Sequence, residues 1–260
     1  MKLMGVVNVT PDSFSDGGLY LDPAAAIAHG QELVAAGAGI LDVGGESTRP
    51  GAAEVAAAEE LRRVLPVVEG LAGGEAEVSI DTSKAAVAAA ALDAGATIVN
   101  DVTALRGDPD MAALCAERGA TVVLMHMRGS PRTMQEDPTY EDVVAEVKDF
   151  LAARLAAAGA AGIAAGRVWL DPGIGFGKTA EHNLELLRRL GELRELGRPL
   201  VIGTSRKSFI GRLDGSAAGE RLGGTIASSV LAAAEGAEVL RVHDVAEVGQ
   251  ALAVATAILG

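Results

Sequence analysis

The chain has 260 residues, is 49% hydrophobic and carries a formal net charge of −13. So acidic a surface speaks against nucleic acid as a partner, because affinity there comes mainly from neutralised phosphates, and no basic run argues otherwise. No apolar run nears the roughly 18 residues of a membrane span, and the opening M-K-L-M-G-V-V lacks the pattern of a signal peptide. The single cysteine, Cys115, rules out an internal disulfide and suits a reducing cytoplasm. Its apolar setting, M-A-A-L-C-A-E, reads as core.

The elements follow in chain order. Residues 3–9 form an apolar run of strand length that reaches Asn8. The loop T-P-D-S-F-S-D-G-G (10–18) comes next, either a surface turn or an active-site lid with Phe14 as an exposed aromatic. Its place after a strand end favours the lid. A helix runs from Pro23 to Ala36, with Asp22 as N-cap, and stops at Gly37. The second strand, Ile40 to Val43, enters G-G-E-S-T-R-P-G (44–51). A helix over 53–65 follows, then a strand from Glu77 to Ile80 that ends at Asp81. Thr82 or Ser83 caps the helix that begins near Lys84. The fourth strand, Ala96 to Val99, ends at Asn100-Asp101.

Residues 109–118 read as helix, and Thr121 to Met125 as the fifth strand, ending at His126. Residues 140–158 have apolar side chains at helical spacing. Val168 to Leu170 is the sixth strand, followed by D-P-G-I-G-F-G-K (171–178). A carboxylate at the end of a buried strand needs a partner, so Asp171 has either a structural one or a ligand. The three glycines let the backbone approach whatever sits above. Leu184, Leu187, Leu190 and Leu193 mark the next helix. Leu200 to Gly203 is the seventh strand, ending in T-S-R-K (204–207). Ala218 to Glu235 is a helix, Val239 to Val242 the eighth strand, and Val245 to Leu259 the closing helix.

Eight strand–helix units with no linker, each strand a near-continuous apolar run, mean a parallel sheet buried on both faces. That repeat in this length predicts a single-domain α/β chain, a (β/α)8 TIM barrel over residues 1–260. A doubly wound open sheet is the runner-up. It calls for one dominant fingerprint loop, whereas here a polar group follows almost every strand.

In such a barrel all the strand C-termini open on one face, where active sites lie. Two groups meet there. Asp81, Asn100, Asp171 and Lys207 suit a planar heterocycle, since a carboxylate accepts two parallel N–H bonds. The alternative is that Asp171 and Lys207 form only a structural salt bridge. Thr48, Arg49, Arg241 and His243 form the second group, in which arginine can grip phosphate bidentately. Asn8 offers a neutral oxygen suited to Mg²⁺, which keeps waters and shares substrate phosphates. Ser208 opens a short helix whose N–H groups attract an anion. The stretch from Pro172 to Thr179 is close to a phosphate-binding P-loop, but its required first glycine is Pro172.

N-V-T-P-D-S-F-S-D-G-G (8–18), G-G-E-S-T-R-P-G (44–51), S-I-D-T (79–82), N-D-V (100–102), L-M-H-M (124–127), D-P-G-I-G-F-G-K (171–178), G-T-S-R-K-S (203–208) and R-V-H-D-V (241–245) together resemble the dihydropteroate synthases, in order and along the whole chain. The resemblance implies a TIM barrel that joins 7,8-dihydropterin-6-ylmethyl diphosphate to p-aminobenzoate in folate synthesis, releasing pyrophosphate. It assigns the pterin to Asp81, Asn100, Asp171 and Lys207, with Met125 and Phe176 packed nearby. Arg241 lies against the ring and reaches the phosphates. Thr48, Arg49 and His243 hold the pyrophosphate, and Asn8 the Mg²⁺. Phe14 and Pro50 close over p-aminobenzoate, whose carboxylate meets Ser208.

The implied catalytic set is Arg49, Lys207, Arg241 and His243. The implied mechanism is dissociative: pyrophosphate departs first and leaves a cation delocalised into the pterin. A neutral aniline then attacks without a strong base, and no Ser-His-Asp or Cys-His set is present to act as one. A homodimer and sulfonamide binding are further family expectations. The alternatives are a methyltetrahydrofolate–corrinoid methyltransferase, which does not need the phosphate set, and a pterin-binding paralogue without synthase activity.

Overall fold

The computed structural model of the protein describes residues 1–10, 22–49, 51–130 and 132–259. The lid expected around Phe14, and Pro50 with it, lie outside these residues. The eight strands are β1 (Lys2–Asn8), β2 (Ile40–Gly44), β3 (Glu77–Asp81), β4 (Ile98–Asp101), β5 (Thr121–Met125), β6 (Val168–Asp171), β7 (Val201–Ile202) and β8 (Val239–Val242). They lie in the order β6-β5-β4-β3-β2-β1-β8-β7, and the named pairs are parallel. A bridge between Leu170 and Leu200 closes the ring. The barrel expectation holds and the open sheet does not.

Strands buried on both faces need apolar side chains on both, and the core is accordingly double. Inside the ring, Met4, Ile40, Ile98, Val123, Val201 and Val239 pack with Trp169. A larger apolar layer lies between the strands and the outer helices, with Leu41, Val43, Val78, Val122 and Leu240 among its members. Each such side chain, fully buried, contributes about 1.5–3 kcal/mol.

The helices are α1 (Pro23–Ala35), α2 (Ala57–Leu71), α3 (Ala85–Asp93), α4 (Met111–Arg118), α5 (Val143–Ala160), α6 (Ala180–Arg188), α7 (Ser208–Asp214), α8 (Leu222–Ala234) and α9 (Val245–Leu259). Asp22 caps α1 through the N–H of Ala24, at 3.1 Å. Several boundaries differ from the sequence reading. Helix α2 runs past Pro66 to Leu71, not 53–65. Pro66 lies on the exposed side of the helix, while Val67, Val68 and Leu71 beyond it bury the far turn.

Neither Thr82 nor Ser83 caps α3; Asp108 accepts from Ala85 N at 2.8 Å, and Thr82 Oγ1 takes Lys84 N. After α6 a 3₁₀ turn carries Leu190 and Leu193. Leucines three apart match that tighter winding better than an α-helix. The predicted 218–235 helix is a 3₁₀ turn over Ala218–Glu220 followed by α8. Arg221 breaks it, donating to the carbonyls of Ser216 and Arg206. Strand β7 is shorter than expected, two residues rather than 200–203.

Candidate active site

Strand periodicity builds the mouth. Alternate residues share a face, so the residue two places beyond each inward apolar side chain also points inward. Ile40 leads to Asp42, Ile98 to Asn100, Val123 to Met125, Trp169 to Asp171, and Val239 to Arg241 and then His243. A polar layer therefore sits on the apolar floor. Strands β1 and β8 are neighbours, pairing Gly5 with Val242, so Asn8 and His243 both leave the ring at the same rim.

Arg241 is the centre of that layer. Its Nε donates to Asp42 Oδ2 at 2.6 Å and its Nη2 to Asp81 Oδ2 at 2.9 Å. Asn100 Nδ2 donates to the same Asp42 oxygen at 3.0 Å. The set holds two carboxylates against one guanidinium in a buried place. Burial, with Asp42 next to it, pushes Asp81 up to about 8, although Arg241 pulls the other way. Burial works against the charge of Arg241 too, but Asp42 and Asp81 outweigh it and keep the guanidinium firmly protonated. Asp42 is a site residue that the sequence reading missed. The available signal was a carboxylate inside the apolar run I-L-D-V.

Asp171 Oδ1 accepts from Gly173 N at 2.6 Å. Burial raises its carboxyl, against the pull of Lys207 and Arg241. Among the described residues no ion pair joins Asp171 directly to Lys207 within 4.0 Å, so the structural-salt-bridge alternative is not what the geometry provides. Lys207 Nζ instead donates to the carbonyl of Ile174 and sits 4.8 Å over the Phe176 ring. Burial pushes Lys207 down to about 8. Met125 packs with Val102, Met127, Met134 and Phe176, an apolar wall beside these charges. The expected pterin group of Asp81, Asn100, Asp171, Lys207, Met125 and Phe176 is thus assembled.

Gly173 has φ +68°, and a Cβ there would meet the carbonyl oxygen of His126 at 1.9 Å. That glycine serves contact with the loop after β5, a partner the sequence did not indicate. The loop after β6 is tied down by Lys178, whose buried Nζ donates to Gly173 O at 2.9 Å and Phe176 O at 3.0 Å. The near-P-loop lysine is spent on bracing this loop.

The second group lies along β1, β2, β7 and β8. His243 Nδ1 is 3.0 Å from Ser205 Oγ, and His243 N donates to that same oxygen at 3.2 Å. Burial first, then Arg241, Arg206, Arg49 and Lys207, push His243 down to about 3. It is a neutral imidazole, and Arg49 is among the cations that hold it so. Thr48 and Arg49 are half-buried on the loop after β2. The base of that loop is clamped by Glu46, which accepts from Val55 N at 3.0 Å and from Lys84 Nζ. Lys84 also holds the fully buried Glu60 at 2.6 Å. Ser208 is exposed at the first turn of α7.

Asn8 ends β1 half-buried. Among the described residues no group of three His, Cys, Asp or Glu could hold a metal ion. A neutral amide oxygen fits a hard cation that arrives with its own phosphate ligands, as Mg²⁺ does. A surface cavity of about 480 Å³, lined by Tyr140, Asp142, His182, Glu185 and Arg189, lies outside the ring between α5 and α6. Its Arg189 is already bonded to Asp142 and Glu185.

Comparison with known proteins accords with this mouth. A family model described as pterin binding enzyme matches residues 4–243. A dihydropteroate synthase of Escherichia coli is 50% identical over 258 residues, covering 99% of this chain and 91% of that protein. One from Mycobacterium leprae is 52% identical over 252 residues, covering 94% and 89%. The solved Yersinia pestis dihydropteroate synthase in a sulfonamide drug complex superposes with a TM-score of 0.97 at 46% identity, covering 99% of this chain and 94% of its own. The Xanthomonas albilineans enzyme in complex with 7,8-dihydropteroate gives 0.89 at 47% identity, covering 100% and 94%.

Proposed function

Because this chain belongs to the pterin-binding enzymes, and among them to the dihydropteroate synthases, we propose a division of its reaction between the two halves of the barrel mouth. The chain condenses 7,8-dihydropterin-6-ylmethyl diphosphate with p-aminobenzoate, giving 7,8-dihydropteroate and pyrophosphate. The bond from the 6-methylene carbon to the diphosphate oxygen breaks, and one from that carbon to the aniline nitrogen forms. The aniline proton leaves to solvent or to pyrophosphate. The observation that carries the division is Arg241, which bridges Asp42 and Asp81 on the ring side while adjoining His243 on the other.

On the ring side, Asp81, Asn100, Asp171 and Lys207 hold the pterin edge, with Met125 and Phe176 against its faces. Asp81 and Asp171 supply negative charge near a cation spread into the ring. On the other side Thr48, Arg49, Arg241 and His243 receive the diphosphate. Preorganised donors aimed at developing charge are worth the most where water is excluded. His243 takes part as a neutral donor: Ser205 Oγ lies at its Nδ1, leaving Nε2–H for an oxyanion. Asn8 and the substrate phosphates together would hold Mg²⁺, which would neutralise charge on the departing pyrophosphate. Phe14, Pro50 and Ser208 are assigned to p-aminobenzoate, the position at which sulfonamides would compete.

We also propose a homodimer. Leu231 on α8 and Val254, Ile258 and Leu259 on α9 are exposed, and a second copy is the occupant that would cover them. For the compartment we propose the cytoplasm, on the reading of the buried, free Cys115. The test of the function is pyrophosphate release on mixing the purified chain with the pterin diphosphate, Mg²⁺ and p-aminobenzoate. No release, with pterin still bound, would leave a binding protein. For the dissociative order, isotope scrambling between bridging and non-bridging oxygens of the diphosphate is expected without p-aminobenzoate, and its absence would count against that order.

A further inference from the structure

Asp42 touches two of the groups that hold substrate and is itself fully buried on β2. One oxygen, Oδ2, accepts both from Arg241 Nε at 2.6 Å and from Asn100 Nδ2 at 3.0 Å. The other oxygen, Oδ1, is buried without a partner among the described residues. A carboxylate left half unsatisfied inside a barrel is costly, so its retention at this point calls for a function.

Two consequences follow from the bonding. A carboxylate only accepts, so the end of the Asn100 amide that faces Asp42 must be the NH2. The amide oxygen of Asn100 is thereby turned away from Asp42, as an acceptor. Arg241, for its part, is held at Nε, close to its stem, while Nη2 is bonded to Asp81 at 2.9 Å. Asp81 keeps lone pairs for a ring while that bond stands, and Arg241 Nη2 turns to the diphosphate when it lets Asp81 go. The Nε bond to Asp42 need not break when it does.

We propose that Asp42 is a positioning residue for the pterin: it sets the polarity of the Asn100 amide and is the pivot on which Arg241 passes from Asp81 to the diphosphate. This rests on the reading of the mouth as the pterin site. Asp42 itself does not contact the reacting atoms. Its replacement acts through two neighbours, so its effect disappears when those neighbours are absent.

The experiment measures the dissociation constant of 7,8-dihydropterin-6-ylmethyl diphosphate by calorimetry for the full chain and for Asp42→Asn. The substitution keeps shape and removes charge, and the amide it introduces can turn the Asn100 amide over. Expected is a loss of about ten-fold, one charged hydrogen bond's worth, with KM for p-aminobenzoate within about two-fold. In a background lacking both neighbours, Asn100→Ala with Arg241→Ala, the same substitution is expected to change the constant by less than about two-fold, as coupling through them requires. An unchanged constant in the parent, or equal losses in both backgrounds, overturns the proposal. If Asp42→Asn does not fold, Asp42→Glu keeps the charge but displaces the oxygen. A folded Asp42→Glu that binds as the parent does overturns it as well. Pyrophosphate release by the parent chain reports on the synthase reading separately, so the two failures are distinguishable.

Discussion

Lys178 Nζ lies 2.9 Å from Nδ1 of His126, and both side chains are buried. Burial, and then Lys178 alongside, push His126 down to about 2, so the imidazole stays neutral. The same Nζ donates to the carbonyls of Gly173 and Phe176, and the loop bearing Phe176 is thus moored to the end of β5. Lys178→Met would strand these acceptors, at a cost of about 2–5 kcal/mol. Denaturant unfolding measures it. A cost below about 1 kcal/mol, no more than a neutral hydrogen bond, would mean the loop is moored by something else.

Asp171→Asn is expected to weaken pterin binding by about ten-fold or more, as loss of a charged acceptor does, while the fold survives. Burial already disfavours the charge at this position, so an amide of the same shape removes that cost. Calorimetry with the pterin and thermal unfolding, on the same samples, check both halves. An unaltered dissociation constant would take Asp171 out of the site.

Pterin affinity is expected to pass through a maximum near pH 8. Asp81 is pushed up to about 8, so below that pH it holds a proton and its carboxylate accepts fewer donors. Lys207 is pushed down to about 8, so above that pH its ammonium is lost. Affinity should therefore rise from about pH 6 to 8 and fall from about pH 8 to 9. A flat profile would show that neither group titrates on binding.

The raised Asp81 also has a sign in stability. Its folded value, about 8, lies above its ordinary 3.8, so the protonated form is favoured by folding. That contribution is complete at acid pH and is lost as pH rises through about 8. An asparagine side chain does not titrate. The Tm of Asp81→Asn relative to the parent should therefore increase from about pH 6 to about pH 9, and a constant difference across that range would refute the assignment.

Removal of Mg²⁺ by chelation should stop pyrophosphate release while leaving the binding of a pterin without phosphates nearly unchanged. Asn8→Ala should raise the Mg²⁺ concentration needed for half-maximal rate several-fold, since one of few protein oxygens is gone. If chelated enzyme turns over at the parent rate, Asn8 has another role.

The fold was legible because each strand is an apolar run stopped by a polar group, and the stopping residue lies at the mouth. Asn8, Asp81, Asn100, Asp171 and His243 were accessible in this way. Asp42 was not, because it lies within its run and reads as strand; a carboxylate inside an apolar run, in step with inward Ile40, is the signal that betrays it. Lys178 was visible, but setting aside the P-loop match left it without a role, since its partners at His126 and Phe176 come from a different part of the chain or from backbone carbonyls. Helix α2 was cut short because a proline looks like an ending, and whether its missing bond faces water is a tertiary fact.

The ring is fastened unevenly. Most neighbouring strands are laced along several residues, but between β6 and β7 there is one bridge, at Leu170 and Leu200, and β7 is only two residues long. Asp171 stands on one side of this clasp and Lys207 on the other. Thermal breathing of the hoop starts where it is least fastened, and here that motion would part the two side chains that stand on either side of the clasp.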